Sequence, residues 1–456
     1  MKGSSKRPPG PAGRFLVGVL PMRRQDPLAL LTGWARRYGD IFHYRAFGVP
    51  VYVLSHPDYI ETVLVRCPQD FVKGRGLQVN KSLFGKGLLT SEGAQWLAQR
   101  RLCQPPLRGE RIEGYGPLMT DCAARMLKDW RDGEVRDLQA EMTKLTLEIV
   151  ARALFGVEMT DLASEVAGAL RPLMEFNTRG RILLPALRYM PTPASIRYRL
   201  AVRRLDRVVE EILMRARRAG ENSGGLLAAL IRANLDHPSE MPPSLLRDEV
   251  MTFLLAGHET TALTLTWAFY LLALHPDAER SLVLELGRVL GERAPSTQDL
   301  PMLLQTKRVL KETLRLFPPA YAVVRAAGRN TEIGDYNIPK GASIILSQWI
   351  VHRDPRFFPD PECFNPGRWT PERESELPRF AYFPFGGGPR GCLGSHFALT
   401  EAALILASVM QKFHLDLESR EPLIPIPAIT LRPNRNLRVV VRRREPPDRT
   451  TALAPD

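Results

Sequence analysis

The stretch Phe385-Gly386-Gly387-Gly388-Pro389-Arg390-Gly391-Cys392-Leu393-Gly394 sets one cysteine at the end of a glycine-rich run. An apolar helix pattern follows at once, through Phe397, Ala398, Ala402, Leu404, Ile405 and Val409. Glycines crowded around a sulfur let backbone N–H groups approach it. A helix start adds unpaired N–H groups and the positive end of the dipole. Both effects favour a thiolate over a thiol, and a buried thiolate is best partnered by a metal. Other chemistries use the same residue types. A cysteine on an apolar helix is commonly plain core. A glycine-rich loop before a helix suits a phosphate, but this run lacks a Gly-Lys-Ser/Thr ending and no ribose-binding acid follows. His396, four residues past Cys392, could begin a zinc site, yet no second pair of ligands stands nearby.

A second unusual stretch lies inside residues 243–275, one long helical pattern running from Pro242-Pro243 to His275-Pro276. At 1.5 Å per residue it spans about 50 Å. Its middle, Ala256-Gly257-His258-Glu259-Thr260-Thr261, puts small and polar residues in an apolar run. A mid-helix glycine costs about 1 kcal/mol relative to alanine. The pattern therefore predicts a groove against a flat ligand, with polar groups beside it. Trp96 and Arg100 are four apart and share a helical face. Glu312 and Arg315 are three apart, a spacing that by itself gives an exposed ion pair of small value.

Together these stretches resemble the cytochrome P-450 family. Phe385, Gly388, Arg390, Cys392 and Gly394 fit its haem loop, Phe-x-x-Gly-x-Arg-x-Cys-x-Gly. Residues 256–261 fit its oxygen-activation motif position by position. The resemblance implies a cytochrome P-450 fold, mainly α with a smaller β region, and haem b (iron protoporphyrin IX) as cofactor. Cys392 would be the axial thiolate of the haem iron, which favours O–O cleavage. Phe385 would shield the sulfur, while Trp96, Arg100, Arg325 and Arg390 would meet the propionates. Thr260 would hydrogen-bond the activated dioxygen and Glu259 would relay protons to it through water. Phe253, Ala256, Thr260, Ala322, Val323 and Val324 would surround an apolar pocket, with Phe71, Leu77, Phe84, Leu88 and Ala428-Ile429-Thr430 as further contacts. Glu312, Arg315 and Arg368 would form a buried structural triad that scaffolds the haem loop.

The elements that must position these groups follow from pattern. Residues 27–38, 58–66, 303–317 and a succession over 117–236 read as helices, with breaks near Asp132-Gly133, Pro185, residues 191–193 and 220–225. Residues 41–47 and 49–55 read as strands. Residues 333–350 read as a hairpin about 338–341, and residues 423–443 as two strands turning near 433–436. Residues 14–443 make one haem domain, after a flexible 1–13 segment and before a disordered 444–456 tail.

Composition narrows the partners. The 456 residues carry a net charge of +14. The arginines are spread along the chain without a basic block or recognition module, which argues against nucleic acid and for an acidic protein partner. Arg101, Arg108 and Arg111 would face such a donor. Five scattered cysteines point to a reducing cytoplasm. The apolar run 15–20 is far too short to span a bilayer, so no membrane span is expected. Beginning at a proline-rich segment, the chain resembles soluble bacterial-type members. The implied reaction inserts one atom of dioxygen into an apolar molecule of fatty-acid, terpenoid, steroid or polyketide type. A ferredoxin or flavodoxin with its reductase would supply two electrons. A peroxygenase, dehydratase or isomerase of the same cofactor is one alternative, against which the Glu259-Thr260 pair argues; a non-catalytic haem sensor is another.

Overall fold

A computed structural model describes residues 7–12, 26–46, 48–74, 76–77, 80–159, 161–178, 190–219 and 225–444. The expectations for residues 1–6 and 13–25, the breaks at Pro185 and 220–224, and the tail after Arg444 lie outside them. Among the described residues the longer helices are α1 (Pro27–Tyr38), α2 (Gly93–Cys103), α3 (Gly109–Lys128), α4 (Leu138–Phe155), α5 (Ala163–Thr178), α6 (Pro193–Ala219), α7 (Leu226–Asp236), α8 (Pro243–Leu274), α9 (Pro276–Leu290), α10 (Leu304–Leu316) and α11 (Ser395–Lys412). None is long and apolar enough to cross a membrane.

Helix α8 is the axis of the fold. A proline occupies its first turn, where a missing N–H is tolerated. It stops at His275, the residue before Pro276, whose ring disfavours helical geometry there. Apolar side chains are buried all round it, as expected of a helix enclosed on every side. Helices α3, α4, α9, α10 and α11 contribute to the same apolar core. Gly257 also serves the packing of α8 on α4. A Cβ there would stand 3.1 Å from Val150 Cγ2 of α4, so the glycine permits close packing of two helices. Thr146 of α4 also donates to the His258 carbonyl at 3.0 Å.

The β structure comprises β1 (Ile41–Ala46), β2 (Val49–Leu54), β3 (Phe71–Lys73), β4 (Val135–Asp137), β5 (Val323–Ala327), β6 (Thr331–Ile333), β7 (Tyr336–Ile338), β8 (Ser343–Leu346), β9 (Phe413–Leu417), β10 (Pro425–Pro427), β11 (Leu431–Pro433) and β12 (Arg438–Arg443). The main sheet has the order β1-β2-β8-β5-β3, with β2 and β8 parallel. Two expected hairpins are corrected. The turn at 338–341 does not join paired neighbours: β7 pairs with β6, and β8 with β2 and β5. Nor does the turn at 433–436, since β11 pairs with β10, and β12 with β9 and β4. Residues 58–66 are helical as expected, but Thr62–Arg66 is a π turn. Residues 7–12, within the segment expected to be flexible, reach β1, where His43 N donates to Pro9 O at 2.9 Å.

Candidate functional site

The Cys392 loop closes on itself. Cys392 N donates to Phe385 O at 3.0 Å, and Gly391 N to Gly388 O at 3.1 Å. Gly388 has φ +64, and a Cβ there would stand 1.8 Å from Leu64 O, so only glycine lets the loop rest on the π turn. Arg100 of α2 donates to Gly391 O at 3.0 Å and fixes the other side.

Cys392 is an exposed residue of the loop, while protein atoms crowd its thiol group. Burial pushes its thiol above the usual range, more than the Gly394 N–H and the Arg100 guanidinium pull it down. The thiolate expected from the helix start therefore needs a further cation beside the sulfur.

A cationic cluster stands next to the loop. Strand pairing sets Lys73 of β3 directly opposite Arg325 of β5, an unfavourable placement for like charges. The Trp96 ring of α2 has Arg390 at 5.5 Å, Arg100 at 5.8 Å and Lys73 at 5.9 Å from its centroid. Glu92 answers Arg390 at 2.7 Å and also accepts from Lys73 N. Burial, then Arg390 and Arg325, bring the Lys73 ammonium down to about 8 against the pull of Glu92. Burial and Arg390 bring Arg325 down to about 10. Among the described residues the Arg325 side chain has one hydrogen bond, to Val324 O at 3.1 Å, and Arg390 Nε has none. Lys73, Arg325 and Arg390 thus share Glu92, and Arg100 stands over the same Trp96 ring. A flat group with two carboxylates and a central metal fits both the cluster and the exposed cysteine, as haem does.

On α8, Ala256, Gly257 and Thr260 are the accessible residues of a turn whose neighbours are buried. Thr260 Oγ1 donates to Ala256 O at 3.0 Å within its own helix. Glu259 is buried. It accepts from Thr430 Oγ1 at 2.7 Å, and Arg432 Nε lies 3.1 Å from the same oxygen. Phe253 is nearly buried in the core, and Ala322, Val323 and Val324 are half-buried. Val323 and Val324 point to opposite sides of β5, as successive strand residues must. Val323 packs with the sheet's core, and a Cβ on Gly74 would meet the Val324 side chain at 2.5 Å. Only one of the two can face a common pocket.

The loop carrying Phe84 and Leu88 is tied to three consecutive residues of α8. Arg247 donates to Leu83 O at 2.8 Å, Asp248 accepts from Lys86 N at 2.7 Å, and Glu249 accepts from Leu88 N at 3.0 Å. Burial raises Glu249 to about 7. Sequence reading missed these ties, together with Lys73, Glu92 and Arg432. Arg101, Arg108 and Arg111 are exposed.

Behind the loop, Glu312 accepts from Arg315 Nε at 2.9 Å and Nη2 at 2.8 Å, and from Arg368 Nε, Trp369 Nε1 and Asn365 N, each at 2.9 Å. The remaining guanidinium donors of Arg315 reach His352 O, Pro361 O and Cys363 O. His352 Nε2 in turn accepts from Phe383 N, two residues before Phe385. The triad is thereby connected to the start of the Cys392 loop.

With this geometry the comparisons agree. The cytochrome P450 family model matches residues 8–440. Cyclooctatin synthase of Streptomyces melanosporofaciens is 36% identical over 428 residues, 93% of this chain and 91% of the relative. Cyclooctat-9-en-7-ol 5-monooxygenase of the same organism is 34% identical over 399 residues, 86% of this chain and 84% of the relative. The crystal structure of a cytochrome P450 haem domain superposes with a TM-score of 0.85 at 27% identity, covering 97% of this chain and 99% of that one. The chain belongs to the cytochrome P450 family and is a haem-dependent monooxygenase.

Proposed function

We propose that this enzyme oxygenates a cyclic terpenoid. Haem b would be its cofactor, and a ferredoxin or flavodoxin with its reductase its electron source in the cytoplasm. The single observation that carries the site assignment is the exposed Cys392, on a glycine loop held by Arg100, beside the cluster of Lys73, Arg325 and Arg390 around Glu92. Cys392 would ligate the iron, and Trp96, Arg100, Arg325 and Arg390 would hold the propionates. When bound, haem supplies the chemistry that places one oxygen atom on the substrate and sends the other to water, using two electrons and two protons.

The chain's own residues do the rest. Lys73, Arg325 and Arg390 neutralise the propionate end, which relieves their mutual repulsion. Phe385 and the glycine loop would shield the sulfur once haem is bound. Thr260 presents a hydroxyl from the accessible turn of α8, and Glu259 one residue earlier holds a carboxylate that can pass a proton. Ala256, Phe253 and the Ala322–Val324 segment offer apolar surface, which binds a ring system by excluding water rather than by charge. The terpenoid class rests on that surface and on the relative that acts on cyclooctat-9-en-7-ol.

The test is a spectral titration of the ferric protein with cyclic terpenes and terpene alcohols, beside fatty acids, steroids and macrolactones of similar size. A low-to-high-spin change at micromolar terpenoid supports the reading. A change with another class alone contradicts it.

A further inference from the structure

We propose that the β10–β11 hairpin is the positioning device for Glu259, with Thr430 and Arg432 as positioning residues, and that occupancy of the pocket is transmitted to Glu259 through the hairpin's turn. This rests on the reading above that Glu259 passes protons. Thr430 ends the turn and Arg432 lies two residues on, within β11, and both side chains reach Glu259, while Leu431 between them is buried. Both meet Glu259 at Oε1, and no hydrogen bond among the described residues engages Oε2. One oxygen is thus held and the other is left for a proton donor or acceptor.

The placement of the two partners suits a relay. Glu259 and Thr430 are buried, whereas the Arg432 side chain is 23% exposed. Arg432 therefore runs from the carboxylate to solvent. Its Nε lies within ion-pair distance without the alignment of a hydrogen bond, so the acid is attracted but not locked by it. Thr430 supplies the directional contact.

The hairpin is also bonded to the segment leading into the pocket. Tyr321 Oη donates to Ala428 O at 2.9 Å, Leu431 N donates to Pro319 O at 2.9 Å, and Ala428 N donates to Thr430 O at 3.0 Å. Pro319 and Tyr321 immediately precede Ala322. A ligand that displaces Ala322 or the half-buried Ile429 at the turn acts on the same short hairpin that holds Oε1. Substrate and proton supply are thereby linked by a few bonds.

The experiment uses the haem-loaded protein with no added substrate, electrons delivered from NADPH through a surrogate ferredoxin and its reductase, and the peroxide formed without the protein subtracted. Dioxygen then leaves either as peroxide (two electrons and two protons) or as water (four electrons and four protons), and the peroxide-to-water ratio reads proton supply. Glu259→Gln should raise the ratio at least about threefold and Thr430→Val at least about twofold, with Thr430→Ser restoring it. Addition of 4-phenylimidazole, which fills the pocket, should shift the amide hydrogen exchange of residues 428–431 in the wild type. Unfolding midpoints of Thr430→Val, Glu259→Gln and the double variant should be non-additive. If Thr430→Val does not fold, Arg432→Gln, on a partly exposed side chain, carries the same ratio test. An unchanged ratio in Thr430→Val beside a raised one in Glu259→Gln overturns the hairpin's role and leaves the relay standing. An unchanged ratio in Glu259→Gln overturns the relay and the proposal with it. Additive midpoints, or exchange at 428–431 indifferent to the probe, also overturn the proposal.

Discussion

Glu312 and Glu92 are both carboxylates set among arginines, and they differ in balance. Around Glu312 the donors of Arg315 and Arg368 are answered. Its two oxygens take five donors, and the spare guanidinium donors of Arg315 and Arg368 end on backbone carbonyls. Around Glu92 the cations Lys73, Arg325 and Arg390 exceed the anions, and among the described residues Arg390 Nε has no partner. A closed cluster holds a fold together, because breaking it strands a buried charge. An open one is arranged for something the chain does not supply. The contrast separates scaffold from site without reference to motif.

Breaking the closed cluster should have the largest effect. Glu312→Gln leaves two buried guanidiniums without an anion and should cost roughly 3–5 kcal/mol. A denaturant-unfolding midpoint checks it; a loss below about 1 kcal/mol would mean the triad is not the scaffold it appears from its bonds. The open cluster should respond with opposite signs. Arg325→Gln removes a repelled cation, so the haem-free protein should be as stable as the wild type or more so. Haem should meanwhile leave the variant about tenfold to a hundredfold faster, the scale of a lost charge-assisted bond. Haem transfer to a scavenging apoprotein measures this, and an unchanged rate would sink the propionate assignment.

A third polar group sharpens the contrast at smaller scale. Glu401 of α11 is fully buried, and neither of its oxygens has a well-formed hydrogen bond. Burial holds its carboxyl well above the usual range, opposed by the Thr261 hydroxyl of α8. A raised acid pKa means the folded state keeps a proton the unfolded state loses. Stability should therefore fall as pH rises from the unfolded value of about 4.3 toward the raised folded one. Glu401→Gln should flatten that fall and raise the melting temperature at pH 7–8 by about 1–2 °C. A lower melting temperature there would show that the carboxylate, not the acid, is the resident form.

Much of this organisation was legible in the sequence, and what escaped has a common cause. Residues that act within one turn or loop were readable, because spacing alone places Trp96 over Arg100 and Glu312 beside Arg315. The limits of α8 and α10 came from proline and apolar period. Pairings across the chain were not readable. Lys73 meets Arg325 through a strand pairing, and Thr430 meets Glu259 through a turn packed against α8, and no local signal records either. The turns at 338–341 and 433–436 were marked by Gly, Pro and Asn, but turn residues do not say which strands they join. The packing role of Gly257 escaped for a similar reason: its neighbour Val150 lies on another helix.

The most direct test of the account is the carbon monoxide difference spectrum of the reduced, haem-loaded protein, compared with Cys392→His. The account predicts the strongly red-shifted Soret band of a thiolate-ligated carbonyl in the wild type, and its loss in Cys392→His with haem still bound. A red-shifted band that survives the substitution would contradict Cys392 as the ligand.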